Sequence, residues 1–136
     1  MAVHPGPSRQ HTYVVAVLVV LAVLLQACSS DSDGPSLPPQ QWQDLTIMVQ
    51  TRPLQVRPGM NEFLIIATTR RGLPGDDMVV SLRTSTLEPW SQSIQDGHSG
   101  VYRRAINIRA AQRSILLQLK RGNEQTVLEF PLSWSR

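Results

Sequence analysis

The chain has 136 residues, of which 13 are basic and 10 acidic, for a net charge of +3. This mild excess is not clustered into a basic face, so it gives no support to nucleic-acid binding. The single cysteine has no partner for an internal disulfide.

The N-terminal segment has the layout of a secretory signal. Arg9 precedes an uncharged apolar run from Val14 to Leu25, which is shorter than the ~20 residues that a transmembrane helix needs. We therefore predict a cleaved signal peptide over residues 1 to 27 instead of a retained span. Cleavage removes one basic residue and no acidic one, so the net charge falls from +3 to +2 on a chain long enough for one small domain.

Cys28 follows this apolar run. A lone thiol in an exported chain favours covalent modification or intermolecular pairing over a structural role. The sequence Leu25-Gln26-Ala27-Cys28 resembles a bacterial lipobox, although Gln26 stands where a small or β-branched residue is usual. The resemblance implies lipidation at Cys28 and anchoring in the lipid bilayer on the periplasmic side. It also favours the outer over the inner membrane, because Ser29 replaces the aspartate associated with inner-membrane retention.

The next segment, residues 28 to 41, is predicted to be the lipidated cysteine and a disordered tether. Its serines, aspartates and prolines supply too little apolar surface to offset the entropy lost on ordering. The folded domain is predicted to cover residues 42 to 136.

Within this domain, apolar residues recur at every second position between turn residues, which is the pattern of strands and not of helices. The predicted strands cover residues 45 to 50, 61 to 68, 78 to 83, 90 to 95, 102 to 108, 115 to 119 and 128 to 134. About seven short strands without a helix predict an all-β protein, a small antiparallel β-sandwich. We place Phe63 and Phe130 in its core, expect Arg104 at the rim or in an ion pair, and expect Pro131 on an edge strand or at a bulge.

Four motifs carry a family resemblance, one of which is the apolar stretch Met78-Val79-Val80-Ser81-Leu82. Residues 56 to 63 (Val-Arg-Pro-Gly-Met-Asn-Glu-Phe), the Gly-Leu-Pro turn at 72 to 74 and Gly100-Val101-Tyr102-Arg103 resemble the FixH-like and YtkA-like families of periplasmic domains. The resemblance implies an immunoglobulin-like fold, a membrane tether and no catalytic activity. It also raises a copper-handling or cytochrome oxidase assembly role, although the Met-rich segment of such domains is replaced here by Leu87-Glu88-Pro89-Trp90.

The candidate sites for chemistry are few. Gly97-His98-Ser99-Gly100 lacks the second glycine of a hydrolase elbow and is predicted to be a turn. Asp76-Asp77 lacks the further oxygen ligands that calcium needs. For a soft metal, the alternative ligand pair is Met60 and His98, since Met78 is expected in the core. We predict no catalytic residues, no cofactor and no tight metal site.

The sequence therefore predicts a lipid-anchored envelope protein that acts as a non-catalytic binding or assembly module for an envelope protein partner. The alternative is a copper-handling or oxidase assembly domain. Arg70-Arg71 and Arg103-Arg104 are either contacts for an acidic partner or anionic lipid headgroups, or ordinary solvated charges.

Overall fold

A computed structural model describes Ala2 and residues 37 to 134 of the chain. These residues form nine strands and no helix, so the described part offers nothing of the helical length and apolarity that a membrane crossing needs. The strands are β1 (Leu37–Trp42), β2 (Leu45–Arg52), β3 (Gly59–Thr69), β4 (Val79–Arg83), β5 (Ser91–Gln92), β6 (Ile94–Gln95), β7 (Val101–Ile108), β8 (Ser114–Arg121) and β9 (Glu124–Pro131).

The strands form two antiparallel sheets. One has the order β1-β2-β3-β7-β6 and the other β5-β4-β8-β9. Without β1 and β5, the two orders are those of the A-B-E-D and C-F-G sheets of immunoglobulin domains. The predicted immunoglobulin-like β-sandwich is therefore confirmed, with nine strands in the described residues where about seven were expected.

One predicted strand, residues 90 to 95, is divided between the two sheets. β5 pairs with β4 in one sheet, and β6 pairs with β7 in the other. Ser93 stands between them, and its N–H donates to the Val80 carbonyl at 2.8 Å. The chain crosses from one sheet to the other here, which leaves both strands only two residues long.

The core forms where the inward faces of the two sheets meet. Alternate residues of β2 and β8 are fully buried, as their sequence pattern predicts. Phe63 on β3 and Phe130 on β9 are both completely buried, which confirms their predicted place between the sheets. Met78 also lies in the core, as expected. Each large apolar side chain buried in this way contributes ~1.5 to 3 kcal/mol.

The sandwich begins earlier than the sequence predicts. β1 starts at Leu37, which is buried and pairs with Val49, so the boundary predicted at residue 42 is wrong and part of the predicted tether is a strand. Pro38 and Pro39 suggested a linker, but an edge strand tolerates proline and the register shifts where they stand. Apart from Ala2, the predicted signal peptide lies outside the described residues, as do Cys28 and the rest of the predicted tether.

Two of the motifs that carry the family resemblance pack against each other. The Tyr102 hydroxyl donates to the Gly75 carbonyl at 2.9 Å, and burial raises the pKa of this hydroxyl. Gly100 has a φ of +71°, and a Cβ there would lie 2.6 Å from the Ala67 carbonyl oxygen and 3.1 Å from the Cα of Pro74. The Gly-Leu-Pro turn and the Gly-Val-Tyr segment thus have a structural role in this fold.

Candidate functional site

The lateral margins of the sandwich differ in how they are covered. At the closed margin, formed by β1 and β9, Gln40 Nε2 donates to the Glu129 carbonyl at 2.6 Å. Val56 forms a parallel bridge with Trp134, whose Nε1 donates to the Gln112 carbonyl at 3.1 Å. Pro131 lies at the end of the edge strand β9, as predicted. Hydrogen bonds therefore join the elements on the two sides of this margin and cover it.

The open margin, formed by β7 with the facing β4 and β5, lacks such cover. β6 pairs only with Tyr102 and Arg103 of β7, whereas β3 pairs with the whole of β7. Among the described strands, residues 104 to 108 of β7 therefore have a partner on one side only. In an antiparallel ladder roughly every second residue directs its N–H and C=O away from that partner, so this segment presents unpaired backbone groups at an edge.

Two grooves border the free edge of β7, and Ala105 lines both of them. The outer groove has a volume of about 610 Å³, and the lateral groove one of about 330 Å³. Glu62, Ile94 and Arg104 are among the lining residues of the outer groove, and Arg83, Glu88, Ile106 and Arg109 among those of the lateral groove. Because they share Ala105, the two grooves meet at the free edge.

Two arginines at the open margin have no carboxylate partner within residues 37 to 134. The Arg83 guanidinium stacks over the Trp90 ring, 4.1 Å from its centroid, and Arg104 lies at the half-buried rim, as the sequence predicts. The Nε atoms of both are buried without a hydrogen-bond partner. Neither guanidinium takes part in an ion pair of the described residues.

The acidic side chains nearby already have partners. Asp96 Oδ2 lies 2.5 Å from Arg103 Nη2, and Glu88 lies 3.9 Å from Arg109. Glu62 pairs with an arginine of β2 at 3.7 Å. The open margin therefore has a surplus of positive charge, which Arg83 and Arg104 supply.

Exposed apolar side chains accompany this charge. Met60 is 65% exposed in the lateral groove, and Ile94 is 72% exposed in the outer groove. Leu87, beside Glu88 in the loop that borders the lateral groove, is 95% exposed. Arginines, aliphatic side chains and free backbone groups together suit a polypeptide ligand better than a small polar one.

The predicted soft-metal pair is not brought together. Met60 is opposite Asn107 in the β3–β7 register, whereas His98 precedes Val101, which is opposite Ile66. Six residues of strand at ~3.4 Å each separate the two ends by ~20 Å. His98 Nδ1 instead lies 3.1 Å from Asp76 Oδ2, with its side chain 93% exposed.

The adjacent aspartates serve other contacts. Arg121 Nε donates to Asp77 at 2.9 Å and Arg121 Nη1 to Asp44 at 2.6 Å. These hydrogen bonds raise the pKa of Arg121, and the bond from Arg121 lowers the pKa of Asp44. Asp77 is thus part of a set of ion pairs with Arg121 and Asp44, whereas Asp76 lies beside His98. No group of three His, Cys, Asp or Glu side chains within the described residues is arranged to hold a metal ion.

Sequence reasoning singled out Arg104 but missed Arg83 and the free edge beside it. The signal for Arg104 was an arginine on the inward face of a strand, where a lone charge has to reach the rim. Nothing in the sequence of β7 shows that its neighbour β6 is only two residues long. The edge depends on where the chain crosses between the sheets.

Comparisons with protein-family models, curated proteins and solved structures find no match for this chain.

Proposed function

We propose that the protein is a lipid-anchored envelope protein whose sandwich is a non-catalytic binding or assembly module. The anchoring part rests on the sequence Leu25-Gln26-Ala27-Cys28 and on the uncharged run before it. Acylation at Cys28 holds the domain at the periplasmic face of a membrane, with the outer membrane favoured by Ser29. Several acyl chains hold a protein stably, whereas a single one does so only marginally.

The observation that carries the binding part is the open margin. Free backbone groups of β7, two grooves that meet at Ala105 and two arginines without carboxylate partners lie together there. An exposed strand edge is a template for another chain, and proteins usually cover or interrupt such edges. The partner is a second envelope protein, which docks at this margin and so covers the exposed edge of β7.

Site-specific photo-crosslinking tests the binding part. A photoreactive residue replaces Asn107, which lies on the lateral groove, in the full chain in its own membrane. The matched control carries the same group at Val127 on β9, which is 50% exposed. We expect a discrete protein adduct from position 107 and not from position 127. Equal adducts from both positions, or an adduct from position 127 alone, would contradict the proposal.

The anchoring part has a separate test. Cys28→Ala should abolish acylation and move the protein out of the detergent-rich phase on phase separation. Intact-mass measurement of the unmodified membrane-extracted protein should show an acylated chain that begins at Cys28. A mature chain that still carries residues 1 to 27 would exclude the lipoprotein and indicate a retained anchor.

The copper-handling alternative has no supporting observation among the described residues, because Met60 and His98 lie at opposite ends of the sheet. Competition for Cu(I) against a chelator tests it directly. We expect no stoichiometric, sub-nanomolar binding. Such binding, lost in Met60→Ala and in His98→Ala, would restore the alternative.

A further inference from the structure

We propose that the ligand of the open margin is an extended, acidic segment of a partner protein, which pairs with residues 104 to 108 of β7 as an added strand. This inference rests on the proposed function and specifies the chemistry of its partner. The free edge, the grooves on either side of it and the unpaired arginines each define one property of that segment.

The backbone of β7 defines the conformation. Five residues of free edge at ~3.4 Å each offer a ladder ~17 Å long. No proline interrupts residues 104 to 108, and their pairing with β3 is continuous from Arg104 to Ile108. An extended segment can therefore add to the sheet through main-chain hydrogen bonds, which is a recurring mode of peptide recognition.

The grooves define how side chains are received. Successive side chains of a strand point to opposite faces of the sheet. Ala105 has a small side chain and lines both grooves, so it leaves room on each side of the edge. One side chain of the added strand enters the outer groove near Ile94, and the next enters the lateral groove near Ile106.

The arginines define the charge. Arg104 is among the residues that line the outer groove and Arg83 among those that line the lateral groove, and neither guanidinium has a carboxylate partner among the described residues. Acidic side chains of the added strand can therefore pair with two arginines at this margin. Arginine binds carboxylates through paired hydrogen bonds, which are stronger than those between neutral groups. A second copy of this chain fits poorly, because pairing of β7 with β7 brings a further Arg104 into the same positively charged margin.

The test uses the full chain in neutral detergent micelles and a fluorescent eight-residue peptide with two adjacent glutamates among valines and threonines. We expect saturable binding that weakens with added salt. The same peptide with glutamines in place of the glutamates should bind about tenfold more weakly or worse, because each charge-assisted hydrogen bond is lost. A peptide with alternate backbone nitrogens methylated, so that it cannot form the ladder, should lose a similar factor.

Two variants locate the binding. Arg104→Gln should weaken binding of the glutamate peptide about tenfold. Lys120→Gln removes a charge from an exposed position of β8 and should leave binding within about twofold. Unfolding midpoints measured for both variants show that each is folded.

Several results would overturn the inference. They are the absence of peptide binding to the folded protein, equal binding of the methylated peptide, and concentration-dependent self-association that Arg104→Gln abolishes. A fourth is Arg104-dependent binding to phosphatidylglycerol vesicles in place of the peptide, which would assign the margin to lipid headgroups. A protein adduct from position 107 that persists in Arg104→Gln would contradict the acidic segment while leaving the proposed binding function standing. The absence of any adduct from position 107 in the membrane would contradict the proposed binding function, and this inference with it, even if the isolated peptide binds.

Discussion

The closed and the open margin differ in what covers the outermost strand. β1 has two prolines and a register shift, β9 ends in Pro131, and hydrogen bonds join the elements across the closed margin. β7 has neither proline nor register shift from Arg104 to Ile108, and its neighbour β6 ends after two residues. Devices that interrupt an edge are thus present at one margin and missing at the other. The difference identifies β7 as the edge available to another chain.

The largest expected difference in the free energy of unfolding is between substitutions in the core and a substitution at the open margin. Phe63→Ala or Phe130→Ala should each cost ~3 to 5 kcal/mol, because each deletes a completely buried ring. Ile106→Ala at the half-buried rim of the open margin should cost only about 1 to 2 kcal/mol. Chemical denaturation of the three variants gives the comparison. A loss at Ile106 equal to that at the phenylalanines would show that the open margin is packed as tightly as the core.

Two tryptophans, one at each margin, offer a matched pair. Trp134 packs against the core and donates to a backbone carbonyl, so Trp134→Ala should cost about 2 kcal/mol. Trp90 stacks over Arg83, and Trp90→Ala should cost less than about 1 kcal/mol. Denaturant midpoints decide the order, and a larger loss at Trp90 would mean that the open margin is the better stabilised one.

The ion pairs at Arg121 predict a dependence on pH. The pKa of Asp44 in the folded state is lowered by the hydrogen bond from Arg121. Its contribution to stability is therefore present above the unfolded pKa of about 3.9 and is lost as the pH falls through the lower folded value. Asp44→Asn should make the unfolding midpoint less sensitive to pH below about 4. If the unfolding midpoint of the variant depends on pH as that of the parent does, protonation of Asp44 does not contribute to the loss of stability in acid.

The smallest expected effect is at Arg103. This residue forms an exposed ion pair with Asp96, and such pairs contribute little to stability. Arg103→Ala should change the free energy of unfolding by less than about 0.5 kcal/mol. A loss as large as that of Phe63→Ala, measured by the same denaturation, would contradict the assigned orientation of β7.

The sequence was sufficient to predict the position and the buried face of those strands whose two faces differ in polarity. Leu45, Ile47 and Val49 alternate with polar neighbours, and the same residues are fully buried in β2. The alternation is a local property, so it can be read without the fold. The rim position of Arg104 was also predicted correctly, because the other side chains on its face of β7 are apolar.

The features that the sequence did not predict, namely β1 and the division of one strand between the two sheets, depend on contacts between distant parts of the chain. β1 begins with Leu-Pro-Pro, a composition typical of linkers, and becomes a strand because Leu37 pairs with Val49 and is buried. The crossing at Ser93 divides an expected strand between two sheets, and this crossing is what leaves the β7 edge free. Such non-local pairing has no signature in a window of a few residues.

The free edge of β7 is the central claim, and amide hydrogen exchange resolved by residue tests it most directly. In the full chain in detergent micelles, roughly every second amide of residues 104 to 108 should exchange fast, while the amides of β3 stay protected. The acidic peptide should slow the fast amides and leave those of β1 and β9 unchanged. If the amides of residues 104 to 108 are all as protected as those of β3 before any peptide is added, the edge is already covered and the account is wrong.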